Sequence, residues 1–194
     1  MPGGLIHQLA MNGGDLGLLL ASQGRIFTAS DAAANDRVTG QTSFANTTPT
    51  FLLQVPNGTT AVPLLVTLGQ TGTIAGGAIT VIIEMDNADR YSASGTSETV
   101  LNNKTGGVVA TNACTLYSGA TATNAYGVRN FGVTVDADIA SGEGISNELL
   151  WTPTSTPEFL VGPASFLVYT FAATTGPTWL WTIKWAEFPE EWLA

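Results

Sequence analysis

Trp179-Leu180-Trp181-Thr182-Ile183-Lys184-Trp185-Ala186 is the stretch whose reading decides the fold. Its odd positions carry Trp179, Trp181, Ile183 and Trp185, and its even positions carry the lighter set Leu180, Thr182, Lys184 and Ala186. A period of two sorts these residues onto opposite faces of a strand, whereas a helix would scatter them. Each buried indole removes about 150–250 Å² from water. At about 25 cal/mol per Å² that contributes on the order of 4–6 kcal/mol as an upper bound. A face of that weight has to be covered, by the rest of the chain or by a neighbour.

Upstream, a second apolar run begins at Phe159 and is joined to the first by Ala173-Thr174-Thr175-Gly176-Pro177, so the two read as a closing strand pair. Downstream, Pro189 lacks an amide donor and is expected to end the pairing. Trp192 lies beyond it and is the tryptophan expected to pack against another subunit. Further back, Phe51, Leu53 and Val55 alternate with Leu52 and Gln54 before the turn Pro56-Asn57-Gly58-Thr59. Leu64, Val66 and Leu68 form a strand with Pro63 near its start. Ile79, Val81, Ile83 and Met85 alternate with Thr80, Ile82, Glu84 and Asp86. Val108 to Tyr117 and Phe131 to Asp136 read as further strands, and Thr99 to Leu101 as a weak one. Residues 137–157 read as a long connection with a helical turn near Ser146 to Leu150. Ser30 to Asp36 reads as a turn or two of helix.

About eight strands with almost no helical periodicity predict an all-β fold, a single jelly roll or β-sandwich of antiparallel strands. Glycines at 3, 4, 13, 14 and 17 argue against a long helix at the start, so residues 1–28 are expected to form an extended N-terminal arm. Residues 29–194 then form the single domain. No polar or proline-rich linker divides them.

Composition narrows the function. Charged residues make up 11% of the chain, under half of the roughly 25% usual in globular domains. The net charge is −9, and the six bases, Arg25, Arg37, Arg90, Lys104, Arg129 and Lys184, are scattered. No basic patch marks a nucleic-acid partner. No apolar run approaches the roughly 20 residues that span a bilayer, and no basic residue precedes Arg25 to make a signal peptide. A soluble protein with no membrane span is expected.

The residues of common catalytic sites are sparse. His7 is the sole histidine and Cys114 the sole cysteine. They support neither histidine-based catalysis nor a zinc site, and Cys114 reads as a small buried residue. No cofactor motif is present. The sequons at Asn46, Asn57 and Asn103 carry no weight without a secretory signal. Carboxylates alone leave an enzymatic option, since glycoside hydrolysis needs two of them. Asp86 with Asp89, and Asp136 with Asp138 and Glu143, sit at strand ends where solvated carboxylates are also common. A binding option rests on Trp179, Trp181 and Trp185, whose rings would stack on sugars if exposed and form core or interface if covered.

The opening Gly3-Gly4-Leu5-Ile6-His7-Gln8-Leu9-Ala10, followed by Gly14-Asp15, resembles the start of jelly-roll major capsid proteins of large DNA viruses. The chain has about half the length that a double jelly roll needs. The Thr/Ala/Gly/Asn-rich texture of the remainder is similar to that of phage virion proteins. The resemblance implies a non-enzymatic virion structural protein, a shell, decoration or cement subunit, assembled in the host cytoplasm. Its partners would be itself and other virion proteins, in a homo-oligomer with a trimer favoured. Leu5, Ile6, Leu9, Leu18, Leu19 and Trp192 are the interface candidates. A carbohydrate-binding adhesion module using Trp179, Trp181 and Trp185 is the alternative.

Overall fold

The computed structural model describes residues 16–31, 37–71, 78–107, 109–123, 129–136, 148–153 and 157–193. A helix α1 (Leu16–Ser22) is followed by strands β1 (Ile26–Ser30), β2 (Val38–Thr39), β3 (Phe51–Val55), β4 (Thr59–Thr71) and β5 (Ala78–Asp86). Next come the short strands β6 (Tyr91–Ala93), β7 (Thr96–Ser97), β8 (Leu101–Asn102), β9 (Thr115–Ser118) and β10 (Thr121–Ala122). The chain continues as β11 (Arg129–Asp136), β12 (Glu148–Trp151), β13 (Leu160–Val161), β14 (Ala164–Ala172) and β15 (Thr178–Pro189), and a 3₁₀ turn, Glu190–Leu193, follows. Among the described residues no helix is long and apolar enough to cross a membrane.

The strands form an all-β sandwich. One sheet has the order β12-β4-β15-β1-β8, with β13 also on β4 and β2 on β15. The other runs β11-β5-β14-β3-β9-β7, and β10 with β6 makes a small separate ribbon. Eight strands, β1, β3, β4, β5, β11, β12, β14 and β15, carry the two sheets. Numbered along the chain, the first pairs with the eighth, the second with the seventh, the third with the sixth and the fourth with the fifth, all antiparallel. The chain is thus a ribbon folded back on itself and wrapped into two layers.

Alternation on β15 does what its sequence requires. Trp179, Trp181, Ile183 and Trp185 all lie in the core between the sheets, where they meet Phe51, Leu53, Val81, Ile83, Phe166 and Val168 of the opposite sheet. The Phe51 and Trp181 rings, one from each sheet, are 4.7 Å apart between centroids. Two of the buried indoles find a partner for their N–H. Trp179 Nε1 donates to Thr170 Oγ1 at 2.9 Å, and Trp185 Nε1 donates to Glu187 Oε1 at 2.6 Å. Pairing on β15 ends at Pro189, as its missing amide dictates.

Four expectations are corrected. Residues 16–28 are not an extended arm: Leu16–Ser22 is helical and Ile26 already belongs to a sheet, while residues 1–15 lie outside the described set. The helix is a short one, stopped by Gly24 at φ 64°, with the Arg25 amide donating to the Leu20 carbonyl at 2.9 Å in a Schellman-type close. Its Leu20 packs on Val62, Ala186, Phe188 and Trp192, and this burial holds a helix that propensity alone would not. The helical turn expected near residues 146–150 is instead strand β12, paired with Val66 to Gly69. The strand expected over 108–117 is confined to Thr115–Ser118. Pro63 lies well inside β4 rather than near its start. It is tolerated there because the register slips between Lys184/Leu65 and Trp185/Pro63, leaving Leu64 as the extra residue of a bulge. The helix expected over residues 30–36 falls mostly outside the described residues, and Ser30 itself ends β1.

Candidate interaction surface

The carboxylates are engaged structurally. Asp86 is buried at the end of β5, and its Oδ2 accepts from Arg90 Nε at 2.9 Å. Its Oδ1 accepts from Arg90 Nη2 at 3.1 Å and from the Ala88 amide at 3.1 Å. A buried carboxylate held by a two-pronged guanidinium is a staple for the 86–90 loop. Ser165 completes it, accepting from the Arg90 amide and donating to the Ala88 carbonyl. Asp89 accepts from Gln54 Nε2 at 2.7 Å and from the Tyr91 amide at 3.0 Å. A cleft of about 220 Å³ lies beside Asp86, lined by Met85, Asn87, Glu158, Phe159, Leu160, Val161 and Ala164. Asp86 offers it no open carboxylate edge. Asp138 and Glu143 lie outside the described residues, and Asp136 ends β11.

Glu187 is the charged residue that sequence reasoning missed. It is buried on β15 and accepts from the Ala113 amide at 2.5 Å, the Cys114 amide at 3.2 Å and Trp185 Nε1 at 2.6 Å. It thereby pins the 110–114 segment to the closing strand. Burial, with Glu187 adjoining, pushes the Cys114 thiol far above its ordinary range, so Cys114 is the inert packed residue expected. Arg25 lies over the Trp192 ring at 4.3 Å. Its pKa is lowered by burial and partly restored by Glu187.

The tryptophans proposed for sugar stacking are withdrawn from that role. Trp179 and Trp185 have 0% exposure and Trp181 has 3%, so no ring face is open to a ligand. Trp192 is also covered within its own chain: it is 8% exposed, stacked on Phe188 and capped by Arg25. That burial removes the reason for assigning it to a neighbouring subunit. Leu19 is buried, Leu18 is exposed, and Leu5, Ile6 and Leu9 lie outside the described residues.

What the structure exposes instead is half of one sheet face. On the outer side of the seven-stranded sheet, α1 and the 3₁₀ turn cover Ile26, Val62, Leu64, Ala186 and Phe188. Towards the other end of the same strands no described element covers the face. There Leu180 stands opposite Gly69 and Gly69 opposite Glu148, beside a row of Ser30, Thr182, Thr67 and Leu150. Gly69 leaves a shallow depression that Ser30, Asp31, Glu148, Leu180 and Thr182 surround. Leu150 is 66% exposed and Leu180 43%. Leu101 stands exposed at the far edge of the same face, separated from Leu65 by Thr28 and Lys184 in the row Leu101, Thr28, Lys184, Leu65. The β15 alternation places Leu180 on this face from sequence alone. Leu150 was hidden by the reading of its segment as helix. Comparison with protein-family models, curated proteins and solved structures gives no match.

Proposed function

We propose that this chain is a non-enzymatic structural subunit of a virion, a single jelly roll that works by contacts with copies of itself and with other shell proteins. The observation that carries the reading is the nesting of the eight principal strands, first with eighth through fourth with fifth. Such nesting supports a jelly roll, two Greek keys wrapped into a sandwich, an architecture used for shell building blocks. A fold alone does not name a function. The second support is the open half of the seven-stranded sheet, where exposed Leu101, Leu150 and Leu180 stand among threonines, Ser30, Lys184 and Glu148. A flat β face of this kind is a surface that another subunit can cover rather than a cleft for chemistry. The acidic balance favours a position away from the genome; a trimer is the proposed assembly and the virion, built in the host cytoplasm, the proposed location.

Size-exclusion chromatography with light scattering tests the reading. A concentration-dependent oligomer, trimeric at its plateau, is expected, and a monomer unmoved by concentration would overturn it. The contribution of the N-terminal segment is tested by deleting residues 1–15 only. A longer deletion would strip α1 from Val62, Ala186 and Phe188 and confound assembly with folding.

A further inference from the structure

The outer face of the six-stranded sheet carries a different kind of surface from the one just described. Tyr117 of β9 and Tyr91 of β6 stack face to face, with ring centroids 4.1 Å apart and planes 13° from parallel. Both residues are half-buried, packed on the cluster of Leu52, Ala120, Ala122, Leu167 and Tyr169. They are held rather than loose. Tyr117 sits in register with Leu52 on one side and Ser97 on the other. Tyr91 is fixed by pairing with Ala122 and by its Oη donating to the Ser94 carbonyl at 3.3 Å. The Ser94-Gly95 turn at that point has both residues at positive φ, 60° and 83°. A side chain at Gly95 would collide with the Ser118 carbonyl and Ala120 backbone, so glycine lets the turn lie close against the sheet.

Polar groups gather on one side of this pair. Thr115 and Gln54 are neighbours across β9 and β3, and Gln54 Nε2 donates to Asp89 Oδ2. The Tyr117 phenol feels this surrounding: burial raises its pKa, Tyr91 and Asp89 raise it further, and a hydrogen bond with Thr115 works the other way. Asp89 is exposed, while the nearest guanidinium, that of Arg90, is bound to Asp86. The Asp89 carboxylate therefore has acceptor capacity left for a ligand donor.

We propose that Tyr91, Tyr117, Asp89 and Gln54 form a binding site for a neutral saccharide. A pyranose has an apolar C–H face and a rim of hydroxyls. Stacking takes one face of each ring, so what the pair offers the C–H face is its remaining solvent-facing surface, at low entropic cost because the pair is ordered before the ligand arrives. The adjoining carboxylate and amide supply acceptors and a donor for the rim. Asp89, in a chain of net charge −9, disfavours acidic sugars. The site lies on the opposite sheet from the open face of Leu150 and Leu180.

The test is a titration followed by NMR of the tyrosine ring resonances, using the methyl glycosides of glucose, galactose, mannose and N-acetylglucosamine. At least one glycoside is expected to shift the Tyr91 and Tyr117 signals saturably. The near-isosteric Asp89→Asn variant should weaken that binding about tenfold, the loss of one charge-assisted hydrogen bond. No saturable shift with any of the four glycosides would overturn the proposal. So would binding that Asp89→Asn leaves unchanged.

Discussion

Strands β4 and β15 build two halves of one outer face that differ in everything but their backbone. In one half the outward side chains are Val62, Ala186 and Phe188, and α1 with the 3₁₀ turn lies over them. In the other they are Thr67, Gly69, Leu180 and Thr182, and no described element covers them. On the inward side the contrast disappears, for Trp179, Trp181, Ile183 and Trp185 are buried along the whole length. Inner residues of the strand therefore specify the sandwich, and outer residues specify what may be laid on it. A substitution in the covered half should cost stability, and one in the open half should cost association.

The largest effect is expected from Phe188→Ala, which empties the centre of the covered half beneath Trp192 and against Phe159. A loss of about 3–5 kcal/mol is expected for deleting a buried phenyl group, read as a lowered urea midpoint at unchanged slope. A change below about 1 kcal/mol would mean that the cap is loosely packed and the two halves are alike.

Glu187→Ala comes next. It leaves the Ala113 and Cys114 amides and the Trp185 indole without their acceptor. About 2–3 kcal/mol is expected, since each stranded buried donor costs about 1–3 kcal/mol but relaxation and water recover part of it. Hydrogen exchange would show where the loss falls, with the Ala113 and Cys114 amides losing protection first.

Alkaline pH probes the buried groups of the sandwich in another way. Tyr169, on the outer face of the six-stranded sheet, is held above its ordinary pKa of 10.0 by burial and then by Glu84 and Asp86, with Arg90 opposing. Cys114 is held above its ordinary 9.0. A group whose folded pKa is raised contributes stability that is complete below its unfolded pKa and lost as pH climbs towards the folded one. The thermal midpoint should therefore hold near neutrality and fall progressively above about pH 9. Tyr169→Phe should flatten the part of that fall that begins near pH 10. A fall of the same steepness in the variant would exclude the phenol as its source.

These contrasts also explain which parts of the molecule could be read from the chain. Half-buried strands announce themselves by alternation, so Phe51 to Val55, Ile79 to Asp86 and the tryptophan strand were legible, and the closing turn was marked by Gly176-Pro177. Glu148-Leu149-Leu150-Trp151 has three apolar residues in succession and only four residues in all, a run that periodicity cannot assign. The helix at Leu16–Ser22 exists through its contact with residues 62, 186 and 188, which no local pattern reports. Nothing local marks the role of Glu187, because its amide donors lie 74 and 73 positions away. The same non-locality hid the surface sites. Leu180 belongs to the outer face by parity, but its neighbours there, Gly69 and Glu148, arrive from distant strands. Tyr91 and Tyr117 meet only because the β6 and β10 ribbon and strand β9 are brought over one sheet.

The smallest effect on stability and the most pointed on function is expected from Leu150→Ser combined with Leu180→Ser. Both side chains already face water in the isolated chain, so their removal should change unfolding free energy by no more than about 0.5 kcal/mol each. Neither is needed by the strand, since Leu150 stands opposite Thr67 and Leu180 opposite Gly69, which makes no tight side-chain contact. If the open half is where subunits meet, the double variant should shift the light-scattering mass towards monomer at concentrations where the parent chain is assembled. The Phe188→Ala variant, examined below its unfolding midpoint, should still assemble. An assembly that survives the double substitution unchanged would move the subunit contact away from this face and leave the two halves different only in what the chain itself lays over them.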